Sequence, residues 1–200
     1  MLRELRPALV FIVALTLITG LAYPLAVTGI AGTLFPRQAQ GSLIEQDGKV
    51  IGSALIGQAF TEDKYFRGRP SATTGPDPKD ATKTTESPYN ASNSMGSNLG
   101  PTNKVLVERV KGDVEKTKAE NPSAAVPIEL VTTSASGLDP QISPEGALFQ
   151  VPRVAKARNL SEERVRQLVQ EHTEGRLIGL LGEPRVNVLA LNMALDRMAR

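Results

Sequence analysis

The feature that most constrains this chain is an uncharged, mostly apolar run at residues 7–36, which lies between Arg6 and Arg37. A helix of about 20 apolar residues crosses the roughly 30 Å hydrocarbon core of a bilayer, and this run is about ten residues longer. Residues 7–34 are therefore predicted to form one transmembrane helix. The alternative is a cleaved secretory signal, but its apolar region covers only about 7 to 15 residues.

The charges beside the run predict its orientation. Arg3, Arg6 and the terminal amine outweigh Glu4 on the N-terminal side, and an excess of positive charge near a span is typical of the cytoplasmic face. Residues 1–6 are therefore expected in the cytoplasm. Residues 35–200 are expected on the periplasmic or extracellular side.

Composition limits the classes of partner and site. The sequence has 23 Lys and Arg against 21 Asp and Glu, a net charge of +2, so nothing favours a nucleic-acid partner. It has no cysteine, which excludes disulfides, thiolate metal sites and cysteine nucleophiles. The length after the span suits one domain.

Small residues in the span are candidates for packing against other transmembrane helices. Helices associate in lipid through close contact of such residues, and here Thr16 and Gly20 share one face while Ala22 and Ala26 share another. Pro24 loosens the backbone of the outer half. The alternative is a lone anchor in which these residues are merely tolerated. A single uncharged span encloses neither a pore nor a proton relay, so any transport pathway would belong to other subunits.

The remainder is predicted to alternate strands, loops and helices. Residues 50–56 and 126–133 have the composition of strands, whereas residues 67–100 are so rich in Ser, Thr, Asn, Gly and Pro that they predict a long polar loop. Helices are predicted from Pro101 to before Pro122, from Ser143 to Asn159, from Ser161 to Gly175, and over residues 187–198. The predicted fold class is α+β: a single N-terminal transmembrane helix followed by one small, helix-rich α+β extracytoplasmic domain.

Motifs for independent chemistry are missing from the sequence. It has no Gly-x-Ser-x-Gly elbow and no Gly-x-x-x-x-Gly-Lys-Ser/Thr loop, so an anchored periplasmic hydrolase is only a weak alternative and no nucleotide-binding residues are assigned. His172 lacks a second metal ligand nearby and is expected at the edge of the core. Residues 96–100 are either a plain loop before a helix or an anion site made of backbone amides.

Two places have residues suited to polar contacts. Arg67 and Arg69 flank Gly68 next to an aromatic pair that includes Tyr65, which suits either a carboxylate or phosphate ligand or an inter-subunit ion pair. Asp139 precedes a proline, and its side chain is expected to bind backbone amides in a turn.

Several long motifs in this order carry a family resemblance. They are Leu5-Arg6-Pro7-Ala8, Thr19-Gly20, Tyr23-Pro24-Leu25, Phe35-Pro36, Gln38-Ala39, Gly41-Ser42-Leu43-Ile44, the run 52–58, Tyr65-Phe66, Gly68-Arg69-Pro70-Ser71-Ala72, Tyr89-Asn90, Gly96 to Leu99, Val131-Thr132, the run 134–139, Ile142-Ser143-Pro144, the run 153–160, Val186-Asn187 and Leu191-Asn192. Over nearly its whole length the chain resembles the C subunit of the bacterial potassium-transporting P-type ATPase, the Kdp complex. Met95 stands where that family usually has a small residue.

The resemblance implies a non-catalytic accessory subunit of a high-affinity, ATP-driven potassium uptake system, with its single span in the bacterial inner membrane. Its partners would be a potassium-translocating subunit, an ATP-hydrolysing P-type subunit, a very small helical subunit and membrane lipid. It also implies a catalytic chaperone that raises the ATP affinity of the hydrolysing subunit, with ATP as a possible ligand and K⁺ as the ion that the complex transports. No metal or tightly bound cofactor is expected.

Two functions stay open at this point. An external domain does not reach cytoplasmic ATP, so the topology favours a domain that packs over the potassium entrance and gates or filters entry without nucleotide contact. The family description instead favours nucleotide binding. The candidate interface or turn-fixing residues are Tyr65, Arg67, Arg69, Ser71, Asn98, Ser136 and Asp139.

Overall fold

The computed structural model describes residues 2–198, and the chain divides into two compact units between Ser53 and Ala54. The first unit contains a long interrupted helix and a hairpin. Its elements are α1 (Leu2–Leu17), a π-helical turn (Ile18–Ala22), α2 (Tyr23–Leu34), α3 (Pro36–Ala39), β1 (Leu43–Gln46) and β2 (Lys49–Ser53).

The long helix has the length and composition to cross a membrane. With the π-helical turn included, Arg3–Leu34 is a run of 32 helical residues that are mostly apolar. At a rise of about 1.5 Å per residue this exceeds the roughly 30 Å of a bilayer core. Apart from the half-buried Ala14 and Ala31, every residue from 3 to 34 is exposed. The predicted apolar helix is confirmed.

The π-helical turn ends at Ala22, two residues before Pro24. The nitrogen of Pro24 has no hydrogen, so it cannot donate a hydrogen bond within the helix. The amide of the preceding residue, Tyr23, donates to the carbonyl of Ile18, which lies one residue earlier in the chain than its partner in an α-helix would. A Cβ added to Gly20 would lie 3.9 Å from the Thr16 methyl group, so these two residues are neighbours on one face. The role of this face in packing stays a prediction.

The hairpin of β1 and β2 turns at Asp47 and Gly48, which have φ angles of 53° and 74°. Asp-Gly is a preferred pair for a turn whose two central residues have positive φ. Strand β2 ends at Ser53, so the predicted strand at residues 50–56 is correct only in its first half.

The second unit combines helices with two small antiparallel sheets. Its elements are β3 (Thr74–Asp77), β4 (Asp80–Glu86), α4 (Lys104–Glu120), a 3₁₀ turn (Ile128–Leu130), β5 (Gln141–Ile142), α5 (Pro144–Arg158), α6 (Glu162–Glu171), β6 (Thr173–Glu174), β7 (Arg185–Asn187) and α7 (Val188–Met198). β3 pairs with β4, and β7 lies between β5 and β6.

The core of this unit lies among α5, α6, α7 and β7. Among the described residues, thirteen buried apolar residues form it: Phe66, Ile142, Ala147, Val151, Val154, Ala155, Val165, Leu168, Val169, Val186, Val188, Leu191 and Leu195. Val165, Leu168 and Val169 of α6 recur at helical spacing, as do Val188, Leu191 and Leu195 of α7, and these six residues supply nearly half of the core. The helices predicted over these two segments are confirmed.

Side-chain caps fix the helix starts. The Ser143 hydroxyl accepts a hydrogen bond from the Gly146 amide, and Ser161 accepts one from Arg164, as expected for N-caps. Asn159 ends α5 in the left-handed region with φ of 54°. α4 begins later than predicted, because Asn103 caps it in place of a first-turn Pro101.

Two predictions are corrected. Residues 126–133 do not form a strand: Pro127 has no amide hydrogen to pair, and a 3₁₀ turn places the Glu129 carboxylate on the Ser143 amide and hydroxyl. The predicted loop at 67–100 contains the β3–β4 hairpin. These two strands are rich in Gly, Pro and Thr and lack the alternation of apolar and polar residues that predicts a strand.

Candidate interface site

Arg69 and Asp139 form the centre of the candidate site. The Arg69 Nη1 atom lies 2.9 Å from Asp139 Oδ2, and Nη2 donates to the Thr133 carbonyl at 3.3 Å. Both side chains are about one third exposed, 28% and 36%. A pair at this depth remains accessible to another protein.

A tight turn holds Asp139 in place. Ser136 Oγ donates to Asp139 Oδ1 at 3.2 Å and accepts from the Leu138 amide, while buried Ser134 accepts from the Gly137 amide at 3.0 Å. Asp139 thus binds a hydroxyl and a guanidinium, where backbone amides had been expected.

Ser71 connects this turn to the segment that carries Arg69. Its hydroxyl donates to the Gly137 carbonyl at 2.8 Å and accepts from the Tyr89 amide at 3.0 Å. Thr73, which is 1% exposed, donates from its hydroxyl to the Ser87 carbonyl. Four predicted residues, Arg69, Ser71, Ser136 and Asp139, are therefore brought together although 70 positions separate the first from the last.

Tyr89 packs against the backbone of the segment that carries Arg69. Its hydroxyl donates to the Arg69 carbonyl at 2.7 Å and lies against Gly68, where a Cβ would collide with it. Burial, with a smaller contribution from the Asp139 charge, raises the pKa of Tyr89 to about 12. The phenol therefore remains a neutral hydrogen-bond donor throughout the physiological range.

A recess of about 420 Å³ opens beside Arg69. Among the residues that line it are Glu129, Asp139, Glu183 and Arg185. Within the described residues, Arg69 Nε is buried without a hydrogen-bond partner. An open recess lined by charged side chains is more typical of a polar interface with another protein than of an enclosed site for a small molecule.

Tyr65 and Arg67 lie in a second cluster. The Tyr65 hydroxyl donates to Asp196 Oδ2 at 3.0 Å, and the Arg158 guanidinium lies 5.0 Å from the centre of the Tyr65 ring. Burial and the Asp196 hydrogen bond raise the pKa of Tyr65. Arg67 forms ion pairs with Asp63 at 2.7 Å and Glu120 at 2.6 Å.

Sequence reasoning missed the residues that organise this cluster. Glu120 bridges two arginines, because its second oxygen lies 2.9 Å from Nε of Arg153, whose side chain is only 9% exposed. Burial and the nearby Arg67 charge lower the pKa of Arg153. Gln150 and Asn192 bind the backbone of Arg67 and Phe66 through paired amide hydrogen bonds. A lone polar residue on an otherwise apolar helical stripe, as at Asn192, is the signal that marks such a role.

Among the described residues, Asn98 and His172 form no hydrogen bond with these clusters, whereas Gly96 packs against the turn that holds Asp139. Asn98 is exposed with φ of 51°, and Gly96 is buried against the Ala135 carbonyl, several residues before α4 begins. The 96–100 amides are thus not at a helix N-terminus. His172 Nδ1 bonds the Leu168 carbonyl at 2.9 Å at the end of α6. Within residues 2–198 no group of three or more His, Cys, Asp or Glu is arranged to hold a metal ion.

Comparison with known proteins places the chain in a family. A family model described as KdpC, K⁺-transporting ATPase, c chain, matches residues 5–197. The chain belongs to the KdpC family. The resemblance drawn from its motifs is confirmed.

Curated relatives agree over their full lengths. A protein of Rhodopseudomonas palustris strain BisB18 is 77% identical over 196 residues, 98% of each chain. A protein of Bradyrhizobium diazoefficiens is 75% identical, covering 100% of this chain and 99% of the relative, and one of Methylobacterium nodulans is 69% identical with the same coverage. Each is named the potassium-transporting ATPase KdpC subunit.

KdpC family membership makes this chain an accessory subunit of the multi-subunit K⁺-transporting ATPase. The apolar helix Arg3–Leu34 fits a membrane protein. The Arg69 cluster and the Glu120 cluster both lie in the second unit, after the helix that would anchor it.

Proposed function

We propose that this KdpC subunit is a membrane-anchored, non-catalytic part of a high-affinity potassium uptake system, and that it stabilises assembly of the potassium-translocating and ATP-hydrolysing subunits. The observation that carries the proposal is the Arg3–Leu34 helix, which is apolar and exposed along nearly its whole length. A lone helix of this kind anchors a chain and packs on other helices, but does not itself conduct an ion.

The proposed topology places residues 1–6 in the cytoplasm and the second unit outside the inner membrane. The two arginines before the uncharged run support this orientation. The potassium-translocating subunit, the ATP-hydrolysing subunit and the small helical subunit are then all within reach of the span. The extracytoplasmic face of the translocating subunit would meet the domain.

With this topology, any effect on ATP affinity passes through the assembled complex. The resemblance implies that the family raises the ATP affinity of the hydrolysing subunit, yet an external domain has no access to cytoplasmic ATP. We therefore assign the ATP effect to stabilisation of a nucleotide-competent arrangement of the partner, with no ATP bound by this chain.

The recess offers little support for a second function as a potassium filter. A filter requires oxygen atoms available to the ion, whereas the recess carboxylates are already engaged. Asp139 pairs with Arg69, Glu129 accepts from Ser143, and Glu183 lies 2.7 Å from Arg176. These groups suit contact with a protein better than passage of a cation.

The topology is tested by labelling a single cysteine, which is simple because the chain has none. Lys116 is exposed on α4, and Glu4 is exposed at the other end of the span. In cells with a permeabilised outer membrane, Lys116→Cys is expected to react with an impermeant maleimide, and Glu4→Cys is expected to react only after the inner membrane is broken. The reverse pattern would contradict the external domain and restore direct nucleotide binding.

The assembly role is tested at Arg69. Arg69→Ala is expected to reduce the yield of intact complex and potassium uptake at low potassium, because it removes one of the two arginines that line the recess and leaves Asp139 unpaired. Asp139 is exposed enough to be solvated afterwards, so the cost to the free chain is about 1 kcal/mol, or about 2–4 °C in melting temperature.

The matched control is Arg166→Ala, which breaks only a surface pair between Arg166 and Glu162 on α6. It is expected to leave assembly and uptake unchanged. Normal assembly and uptake by Arg69→Ala, in a chain that melts within this range, would contradict the interface role of the recess.

A further inference from the structure

The connection between β6 and β7 carries an exposed apolar tip, which we define as Leu177, Ile178, Leu180 and Leu181. Their exposures are 66%, 83%, 80% and 61%. Four large aliphatic side chains within five residues form a contiguous apolar surface that soluble monomers seldom leave uncovered, and such patches mark interaction sites.

The tip is an ordered turn. The Leu177 amide donates to the Leu181 carbonyl at 2.8 Å, and the Leu180 amide donates to the Leu177 carbonyl at 3.1 Å. The two central residues, Ile178 and Gly179, have φ angles of 55° and 74°. Positive φ at both centres is the pattern of a type I′ turn.

Ile178 is an unfavourable residue for this turn. The first centre of a type I′ turn prefers Asn, Asp or Gly, whereas a β-branched residue at positive φ is a genuine outlier. Ile178 is also the most exposed of the four residues, so its side chain contributes no packing to the core. Residues held in such strained backbone conformations cluster at functional sites, and this favours a functional role for the exposed Ile178 side chain.

The base of the tip is electrically neutral. Arg176 pairs with Glu183 at 2.7 Å, and Arg185 pairs with Glu174 at 2.9 Å. Residues 173–187 contain no aromatic residue and no lysine. Membrane-surface segments usually combine aromatic residues with unpaired positive charge, so a bilayer is a poor match for this tip.

The tip adjoins the candidate interface site. Glu183, Pro184 and Arg185, which follow the tip, line the same recess as Arg69 and Asp139. The apolar surface and the polar recess are therefore neighbouring parts of one face. An apolar centre beside a polar rim is the usual composition of a protein interface.

We propose that the apolar tip inserts into an apolar pocket on the extracytoplasmic face of the potassium-translocating subunit, beside the contact made by the Arg69 recess. The inference rests on the proposed function, because it takes the recess as part of the assembly interface. Membership in a multi-subunit ATPase supplies the partner, and the neutral base favours a protein pocket over an anionic lipid surface.

The test compares binding of the purified full-length chain, in detergent, to the remaining subunits of the complex. The double variant Ile178→Asn with Leu180→Asn removes two aliphatic side chains, and Asn suits positive φ at position 178. Its melting temperature is expected to equal or exceed that of the unmodified chain. Its Kd is expected to rise about 100-fold, since each buried aliphatic side chain is worth at least about tenfold.

The control is Val105→Asn with Val107→Asn. These valines on α4 are 63% and 55% exposed and do not line the recess. This variant is expected to bind within about twofold of the unmodified chain.

The outcomes separate the tip from the proposed function. If the tip variant binds normally while Arg69→Ala binds weakly, the tip proposal is overturned and the assembly function stands. If the unmodified chain does not bind the other subunits at all, both are overturned.

A labelled tip distinguishes the other occupants. Leu180→Cys carrying an environment-sensitive fluorophore is expected to emit as in water when the full chain is alone in phosphatidylethanolamine and phosphatidylglycerol nanodiscs, and to shift to the blue when the other subunits are present. A blue shift in nanodiscs without them would overturn the proposal in favour of lipid. A homodimer in detergent that the tip variant abolishes would overturn it in favour of a second copy of this chain.

Discussion

Replacing Gly137 with alanine is expected to destabilise the second unit by about 2–4 kcal/mol, because the backbone and the packing both exclude a Cβ at this position. Gly137 has φ of 71°, a conformation that costs L-residues about 1–2 kcal/mol. The added carbon would lie 2.7 Å from the Met95 carbonyl oxygen and against the methyl group of buried Thr73. The turn that holds Asp139 would have to open.

Thermal unfolding of the full-length chain, followed by loss of helical circular dichroism, measures this effect. A loss of 2–4 kcal/mol corresponds to a fall of roughly 5–15 °C in melting temperature for a unit of this size. Gly112→Ala is the control: Gly112 lies inside α4 with nothing within 4 Å of its Cβ position. Alanine there is expected to stabilise by about 0.5–1 kcal/mol. Equal stability of Gly137→Ala and the unmodified chain would refute the strain argument.

The second large effect is expected at Asn192, whose replacement by leucine should cost about 2–5 kcal/mol. Its side-chain oxygen accepts from the Phe66 amide at 2.8 Å, and its nitrogen donates to the Phe66 carbonyl at 2.9 Å. Asn192 and Phe66 are 1% and 0% exposed, so water does not replace either bond. Each unsatisfied buried group costs about 1–3 kcal/mol.

Urea unfolding of the full chain gives the difference directly, with hydrogen exchange at the Phe66 amide as a local report. Faster exchange of that amide is expected in Asn192→Leu even where the chain remains folded. The matched control, Gln170→Leu, replaces an exposed helical amide on α6 and is expected to change stability by less than about 0.5 kcal/mol. If Asn192→Leu were as stable as this control, the paired amide bonds would not fix the 65–67 segment to α7.

Local signals in the sequence located the helices well. Ser143 and Ser161 each cap the helix predicted to follow them, and Asn159 ends α5, because capping depends on residues within one turn of each other. The long apolar helix was equally clear, since its length and lack of charge depend on no distant residue. The motifs, which are also local, identified the family.

The short strands were not predictable in this way. The β3–β4 hairpin has a polar composition, and β5, β6 and β7 are only two or three residues long. Residues 126–133 looked like a strand because Val and Ile are frequent in strands, but Pro127 and the contact of Glu129 with Ser143 determine a 3₁₀ turn.

The candidate site shows the same division. The sequence by itself determined an apolar span, capped amphipathic helices and a short set of polar candidates that includes Arg69 and Asp139, since composition, periodicity and capping act over a few residues. Only the tertiary structure decided that Arg69 pairs with Asp139, that Glu120 bridges Arg67 and Arg153, and that the apolar tip adjoins the recess. These contacts join residues tens of positions apart, and their partners are selected by packing of the whole core, which no local pattern encodes.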